Sequence, residues 1–211
     1  MQNSQSLKPY NTVAKSSEIE LVIQKSRFIG RCIPVEDEAE ATARLEEVRK
    51  RHYDATHNCY AMRIGQLTAR SSDDGEPSGT AGVPILNVLT KSELTNVLCV
   101  VTRYFGGILL GAGGLIRAYT AGAARSAEAA GVRTAKPATL FALTVPYPLW
   151  QRTEAILRAS AILENTEFAE VVRVRFYALD GTEKALCKEL LERSDGVLTP
   201  GVLRRELLFL S

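Results

Sequence analysis

Two arginines and a run of glycines make the densest group of residues with chemistry to offer. Arg103 follows the apolar run Val97-Leu98-Cys99-Val100-Val101, Gly106-Gly107 and Gly111-Ala112-Gly113-Gly114 come next, and Arg117 lies just beyond. A strand that feeds a glycine-rich turn and then a helix start presents free N–H groups and the positive end of a helix dipole, where anions bind. The pattern is generic. No Lys-Ser/Thr follows the glycines, which excludes a Walker A loop, and Ile116 stands where the dinucleotide fingerprint needs Gly or Ala. The glycines serve equally well as a tight turn that packs a helix on a sheet. A guanidinium at the end of an apolar strand must meet a carboxylate, a carbonyl cluster or a ligand anion, and Arg117 opposes the dipole of its own helix. The candidate anion- or nucleic-acid-binding set is therefore Arg103, Gly106, Gly107, Gly111, Gly113, Gly114 and Arg117, with Arg27 as a further cation.

Asp73-Asp74-Gly75-Glu76 is the concentrated acidic group. It can partner Arg103, it can form a turn and cap a following helix, or Asp73 and Asp74 can hold Mg²⁺. His57 and Cys59 share one face of a strand, which does not by itself give nucleophile–base geometry. Arg125 and Glu128 have i,i+3 spacing for a helix-surface pair. Four dispersed cysteines, no C-x-x-C and two histidines argue against a zinc site or a disulfide framework. No cofactor is indicated.

The elements that must hold these residues follow from periodicity. Residues 1–17 read as a frayed tail, and Glu18–Arg31 as strand material with a turn or bulge at Ser26-Arg27-Phe28. Asp37 and Glu40 form a capping-box pattern for a helix to about Tyr53, with Ala41, Leu45 and Val48 inward. Its terminal Arg49-Lys50-Arg51 reads as a solvated face that suits the dipole. Strands are expected at Cys59–Ile64 and Val97–Tyr104, a loop at Ser71–Pro84, and helices at Val83–Leu89 and Leu115–Ala130, the last stopped by Gly131. Beyond Thr134–Pro137, strands at Thr139–Pro146, Ile162–Phe168, Val171–Ala178 and Leu203–Leu210 enclose helices at Leu149–Ala159 and Gly181–Arg193. That order is the βαββαβ, ferredoxin-like arrangement.

Charge is balanced throughout. Residues 1–135 carry 16 Lys/Arg against 14 Asp/Glu, and the remainder ten of each, making up the 26 and 24 of the 211-residue chain. Bulk electrostatic gripping of nucleic acid is not indicated, so any such contact is a local patch. The polar N-terminus and the lack of a long apolar run predict a cytoplasmic protein without membrane contact.

Several separated blocks carry a resemblance. Ser26-Arg27-Phe28-Ile29, Asp54–Ala61, Ser72–Gly82, Arg103–Gly107 and Gly111–Tyr119 together resemble the IMPACT/YigZ family, in its bacterial two-domain form. Asn58 departs from the histidine that the pattern suggests. The resemblance implies an α+β protein. Residues 18–135 would form a ribosomal protein S5 domain 2-like domain, and residues 138–211 a ferredoxin-like domain resembling domain V of the translocation elongation factor. It also implies a link to translation, since eukaryotic relatives compete for the activator of an initiation-factor kinase.

The function expected is that of a non-enzymatic, translation-linked regulator binding RNA or a ribosome-associated protein through the Arg/Gly-loop surface. One alternative is an Mg²⁺-dependent enzyme acting on a nucleotide or phosphorylated small molecule there. Another is a protein-docking module anchored by Tyr104, Phe105 and Tyr119.

Overall fold

Val97–Tyr104 forms a strand with those bounds, and the first sheet is built around it. Its β-branched run is buried on both faces, as expected of a central strand. A computed structural model describes residues 7–210 of the chain and divides them into two compact units, centred on Tyr10–Thr134 and Ala135–Leu210. It shows a mixed α+β fold with antiparallel sheets and five helices among the described residues.

In the first unit the strands are β1 (Tyr10–Val13), β2 (Ser17–Ile23), β3 (Ser26–Pro34), β4 (His57–Ile64), β5 (Thr68–Ser72) and β6 (Val97–Tyr104). The sheet order is β2-β3-β6-β4-β5, antiparallel at each step. Helix α1 (Glu38–Arg51) covers one face over Leu98, Val100 and Met62. Helices α2 (Gly82–Lys91) and α3 (Gly111–Ala130) cover the other over Val97, Cys99 and Val101. Asp37 caps α1 through the Glu40 amide at 2.8 Å, and Ala41, Leu45 and Val48 are its buried stripe, as the spacing predicts. Arg49 pairs with Glu46 and Arg51 with Glu18, so the basic run is a charged surface tied down by carboxylates.

Several boundaries differ from the sequence reading. The break between β2 and β3 falls at Gln24-Lys25, both at positive φ, and not at Ser26–Phe28. Neither residue type announces a left-handed turn, so nothing in the sequence marks it. Within the expected tail, Tyr10–Val13 is a strand, held where the Thr95 amide donates to Asn11 O and the Thr12 hydroxyl to Asn96 O. Those partners lie some 84 residues away, beyond any local pattern. Residues 1–6 of that tail lie outside the described residues. Helix α3 begins at Gly111, four residues before Leu115. Glycine is a poor helix former and offers no side-chain periodicity, so this first turn is invisible to pattern reading. Gly30 has a steric role: a Cβ there would lie 2.4 Å from Gly122 O, so only a bare backbone lets α3 sit this close to β3.

The second unit runs β7 (Val132–Val145), α4 (Tyr147–Ser160), β8 (Ile162–Phe168), β9 (Val172–Leu179), α5 (Glu183–Arg193) and β10 (Gly201–Leu210). Within it the strands lie in the order β10-β7-β9-β8. Alternate residues of β7 and β9 (Phe141, Leu143, Val174, Phe176) meet Ile156 and Leu157 of α4 and Leu186 and Leu190 of α5. Phe141 and Phe176 are register partners whose rings stack at 5.5 Å. Strand β7 begins earlier than expected and passes through Pro137. No helix among the described residues is long and apolar enough to cross a membrane.

Candidate functional site

The acidic loop between β5 and α2 is held by its own carboxylates. Asp73 Oδ1 accepts the amides of Ala81 (3.0 Å) and Gly82 (2.8 Å), and Oδ2 accepts that of Gly79 (2.8 Å). Burial works against its charge, but these backbone donors together hold the Asp73 carboxyl below its ordinary value. Asp74 Oδ2 accepts the Asn58 amide at 2.6 Å, and its Oδ1 lies 3.5 Å from Arg49 Nη2. Glu76 turns the other way, into the α3 face. Three carboxylates within four residues thus reach three separate anchors. Asp73 and Asp74, the Mg²⁺ candidates of the sequence, each bond to a different part of the protein. Asp73 accepts three backbone amides and Asp74 one amide and Arg49, and no cluster of three or more His, Cys, Asp or Glu suited to a metal occurs among the described residues.

Arg103 lies at the end of β6, opposite Phe28 of β3 and His57 of β4. Its Nη1 donates to Glu76 Oε1 at 2.7 Å, with side chains only 6% and 3% exposed. Nη2 reaches Ser26 Oγ at 3.4 Å, whereas Nε is buried without a partner. The guanidinium lies 5.4 Å from the centres of both the Phe28 and Phe105 rings. Of the partners the sequence leaves open for Arg103, the structure gives a carboxylate, and the carboxylate is Glu76.

The same Oε1 accepts the Tyr119 hydroxyl at 2.7 Å, and the Tyr119 ring meets Phe28 edge-on. Burial, with Cys59 and Glu76 adding to it, raises the Tyr119 hydroxyl far above its usual range. His57 Nδ1 donates to Asp74 O at 2.7 Å, which leaves Nε2 3.8 Å from Glu76 Oε2. Cys59 donates to Asp73 O at 2.9 Å, and burial pushes its thiol up to about 12. The thiol therefore stays protonated, and His57 and Cys59 bond to the acidic loop instead of to each other.

Above this polar floor lies a cleft of about 390 Å³, walled by Phe105, Leu109, Leu110 and Leu115. Gly106 packs on the β2–β3 turn, where a Cβ would lie 2.1 Å from the Lys25 backbone, and its amide donates to Ser26 Oγ. Gly107 continues the loop, Gly111 opens α3 in the left-handed region at φ +67°, and Gly113 and Gly114 lie in its first turn. That turn has neither a side-chain cap nor an acidic residue to meet its amides. The loop and helix also expose apolar surface, with Phe105 45%, Leu109 85% and Ile116 42% accessible.

The three arginines separate. Arg103 is paired in the floor. Arg27 forms a two-bond pair with Glu20 and lies over the Tyr104 ring. Arg117 is exposed beside Gly113, and its side chain makes no ion pair or hydrogen bond among the described residues. Arg125 and Glu128 do not form an ion pair despite their spacing, for none is found within 4.0 Å. Asn58 is structural: its side chain donates to His52 O and accepts from Thr102.

Sequence reasoning missed a second buried network on the α1 face. Arg31 bonds Glu18 at 2.9 Å and His52 Nε2, and His52 Nδ1 lies 2.9 Å from the Tyr104 hydroxyl, which donates to Asp54. Since Nε2 accepts from the guanidinium, Nδ1 carries the proton. The sequence signal was a charged residue, Arg31, set among Phe28, Ile29, Cys32 and Ile33 of one strand.

Comparisons with known proteins agree on one family. The model of the Impact N-terminal domain matches residues 24–127. IMPACT family member YvyE of Bacillus subtilis is 40% identical over 193 residues, covering 90% of this chain and 89% of that protein. IMPACT family member YigZ of Escherichia coli is 37% identical, covering 72% and 78%. A crystal structure of a hypothetical protein aligns with a TM-score of 0.61 at 31% identity, over 94% of this chain and 98% of its own.

Proposed function

The chain belongs to the IMPACT family, and on that premise we propose that it is a non-enzymatic, translation-linked binding protein of the cytoplasm. Its docking surface is the loop Phe105–Leu110 with the first turns of α3. The observation that supports this best is the contrast within the cleft. His57, Glu76, Arg103 and Tyr119 are engaged with one another and with the acidic loop, whereas Phe105, Leu109 and Ile116 offer apolar surface to a partner. A ribosome-associated protein is the occupant that such a surface suits. RNA is the second reading, favoured by the uncapped start of α3 beside the unpaired Arg117. The enzyme reading finds less support, because Asp73 and Asp74 hold backbone amides and Arg49 and diverge from each other. The element orders of the two units support an S5 domain 2-like and a ferredoxin-like assignment respectively.

Co-sedimentation with ribosomes from cell lysate, with and without nuclease, tests the reading. Leu109→Asp and Phe105→Ala are each expected to weaken association at least ~10-fold, with the melting temperature unchanged for Leu109→Asp. Association that survives nuclease identifies a protein partner, and association lost with nuclease identifies RNA. Capture unaffected by both variants overturns the surface.

A further inference from the structure

Cys32 and Cys99 take no part in the docking surface, yet they are direct register partners on β3 and β6. Which kind of pair they form can be read from the backbone. In an antiparallel ladder a residue points its N–H and C=O to the same neighbouring strand. The Cys32 amide donates to Ser17 Oγ on β2, so it faces away from β6. Three residues on, the Val35 amide donates to Asn96 O on the β6 side, which gives Cys32 the opposite parity. Cys32 and Cys99 are therefore a non-hydrogen-bonded pair, the kind whose Cα atoms lie about 4.5 Å apart with side chains closest. A disulfide spans Cα separations of about 4.4–6.8 Å.

Both side chains point to the α3 face and both are fully buried. Ser126 of α3 donates its proton to Ala123 O at 2.9 Å, so its oxygen faces the sulfurs as an acceptor, 3.3 Å from Cys32 and 3.8 Å from Cys99. The hydrogen bond from Cys99 holds the Cys32 thiol below its ordinary value, against the effect of burial. Cys59 donates to a carbonyl of the acidic loop, and Cys187 lies in the second unit.

We propose that Cys32 and Cys99 form a two-electron oxidation site that closes to a cross-strand disulfide with a peroxide as co-reactant. The Cys32 thiolate attacks one peroxide oxygen and the O–O bond breaks. The departing hydroxide takes the proton released by Cys32 and leaves as water, and Cys32 becomes a sulfenic acid. The Cys99 sulfur then attacks the Cys32 sulfur, the S–S bond forms and the S–O bond breaks. Hydroxide leaves with the Cys99 proton as a second water. A small, uncharged oxidant suits a pair with no solvent exposure, because it needs less opening of α3 than a glutathione-sized disulfide would.

The test is thiol mapping of the intact chain after treatment with hydrogen peroxide, followed by denaturation, alkylation and peptide mass spectrometry. The expected result is loss of two alkylatable thiols and a cross-linked peptide pair containing Cys32 and Cys99, reversed by dithiothreitol. Cys32→Ala should abolish the cross-link, and Cys187→Ser should leave it intact. Four alkylated thiols, a cross-link through Cys59 or Cys187, or oxidation ending at separate sulfinic acids would each overturn the site.

Discussion

Arg103 Nη1 and Glu76 Oε1 lie 2.7 Å apart beneath the cleft, and the same oxygen accepts the Tyr119 hydroxyl at the same distance. One carboxylate thus serves β6, α3 and the acidic loop together. Removing it strands a buried guanidinium that already has an unpartnered Nε.

Glu76→Ala is accordingly expected to cost about 3–5 kcal/mol in urea unfolding, because it leaves an uncompensated buried charge. Arg103→Met with Glu76→Leu should be markedly less destabilising than Glu76→Ala alone. Equal losses for the two would show that the pair is not what stabilises this corner.

Asp73→Ala removes the acceptor of three amides at the start of α2. A loss of about 0.5–2 kcal/mol is expected, the range of a helix cap. Backbone hydrogen exchange should localise the new lability to Gly79–Gly82, and uniform acceleration across the sheet would contradict that assignment.

The α1-face network makes a pH prediction. Burial, followed by the neighbouring Arg31 and Arg51 charges, lowers the His52 pKa from the ordinary 6.5. The unfolded chain therefore binds a proton at higher pH than the folded one. This contribution to stability is complete above about pH 6.5 and is lost progressively as pH falls from there through the depressed folded value. His52→Gln, whose side-chain oxygen can still accept from Arg31, should flatten the decline in urea midpoint between about pH 7 and pH 5. An unchanged slope would assign the effect to other groups.

Gly30→Ala tests the close approach of α3 to β3. A Cβ 2.4 Å from Gly122 O cannot be accommodated by rotating a side chain, so the helix must shift. A loss of about 1–3 kcal/mol is expected, as for overpacking elsewhere in cores. A melting temperature equal to that of the parent would show that α3 yields freely.

What the sequence revealed depended on whether the cause was local. Val97–Tyr104 was legible because a continuous β-branched run admits few alternatives, and the Ala41/Leu45/Val48 stripe was legible from its spacing. The start of α3 was not, because Gly111-Ala112-Gly113-Gly114 has no side chains with which to mark a face. Nor was β1, whose partners are remote in sequence. At the site, three possible carboxylate partners for Arg103 could be named from composition. Choosing Glu76 required the register that sets Arg103 opposite His57 and Phe28. Arg27 illustrates the converse, for its binding role was inferred from charge and its partner Glu20 came from the hairpin register.

The divergent carboxylates of the acidic loop make it a mechanical junction across the sheet. Glu76 ties it to the cleft and α3, whereas Asp74 ties it to the Asn58 amide and to Arg49 of α1 on the opposite face. A partner that displaces Pro77 or the Arg103 floor therefore pulls on both faces through one hydrogen-bonded segment. Occupation of the cleft should thus be felt at the C-terminal turn of α1, on the side of the sheet that the partner never touches.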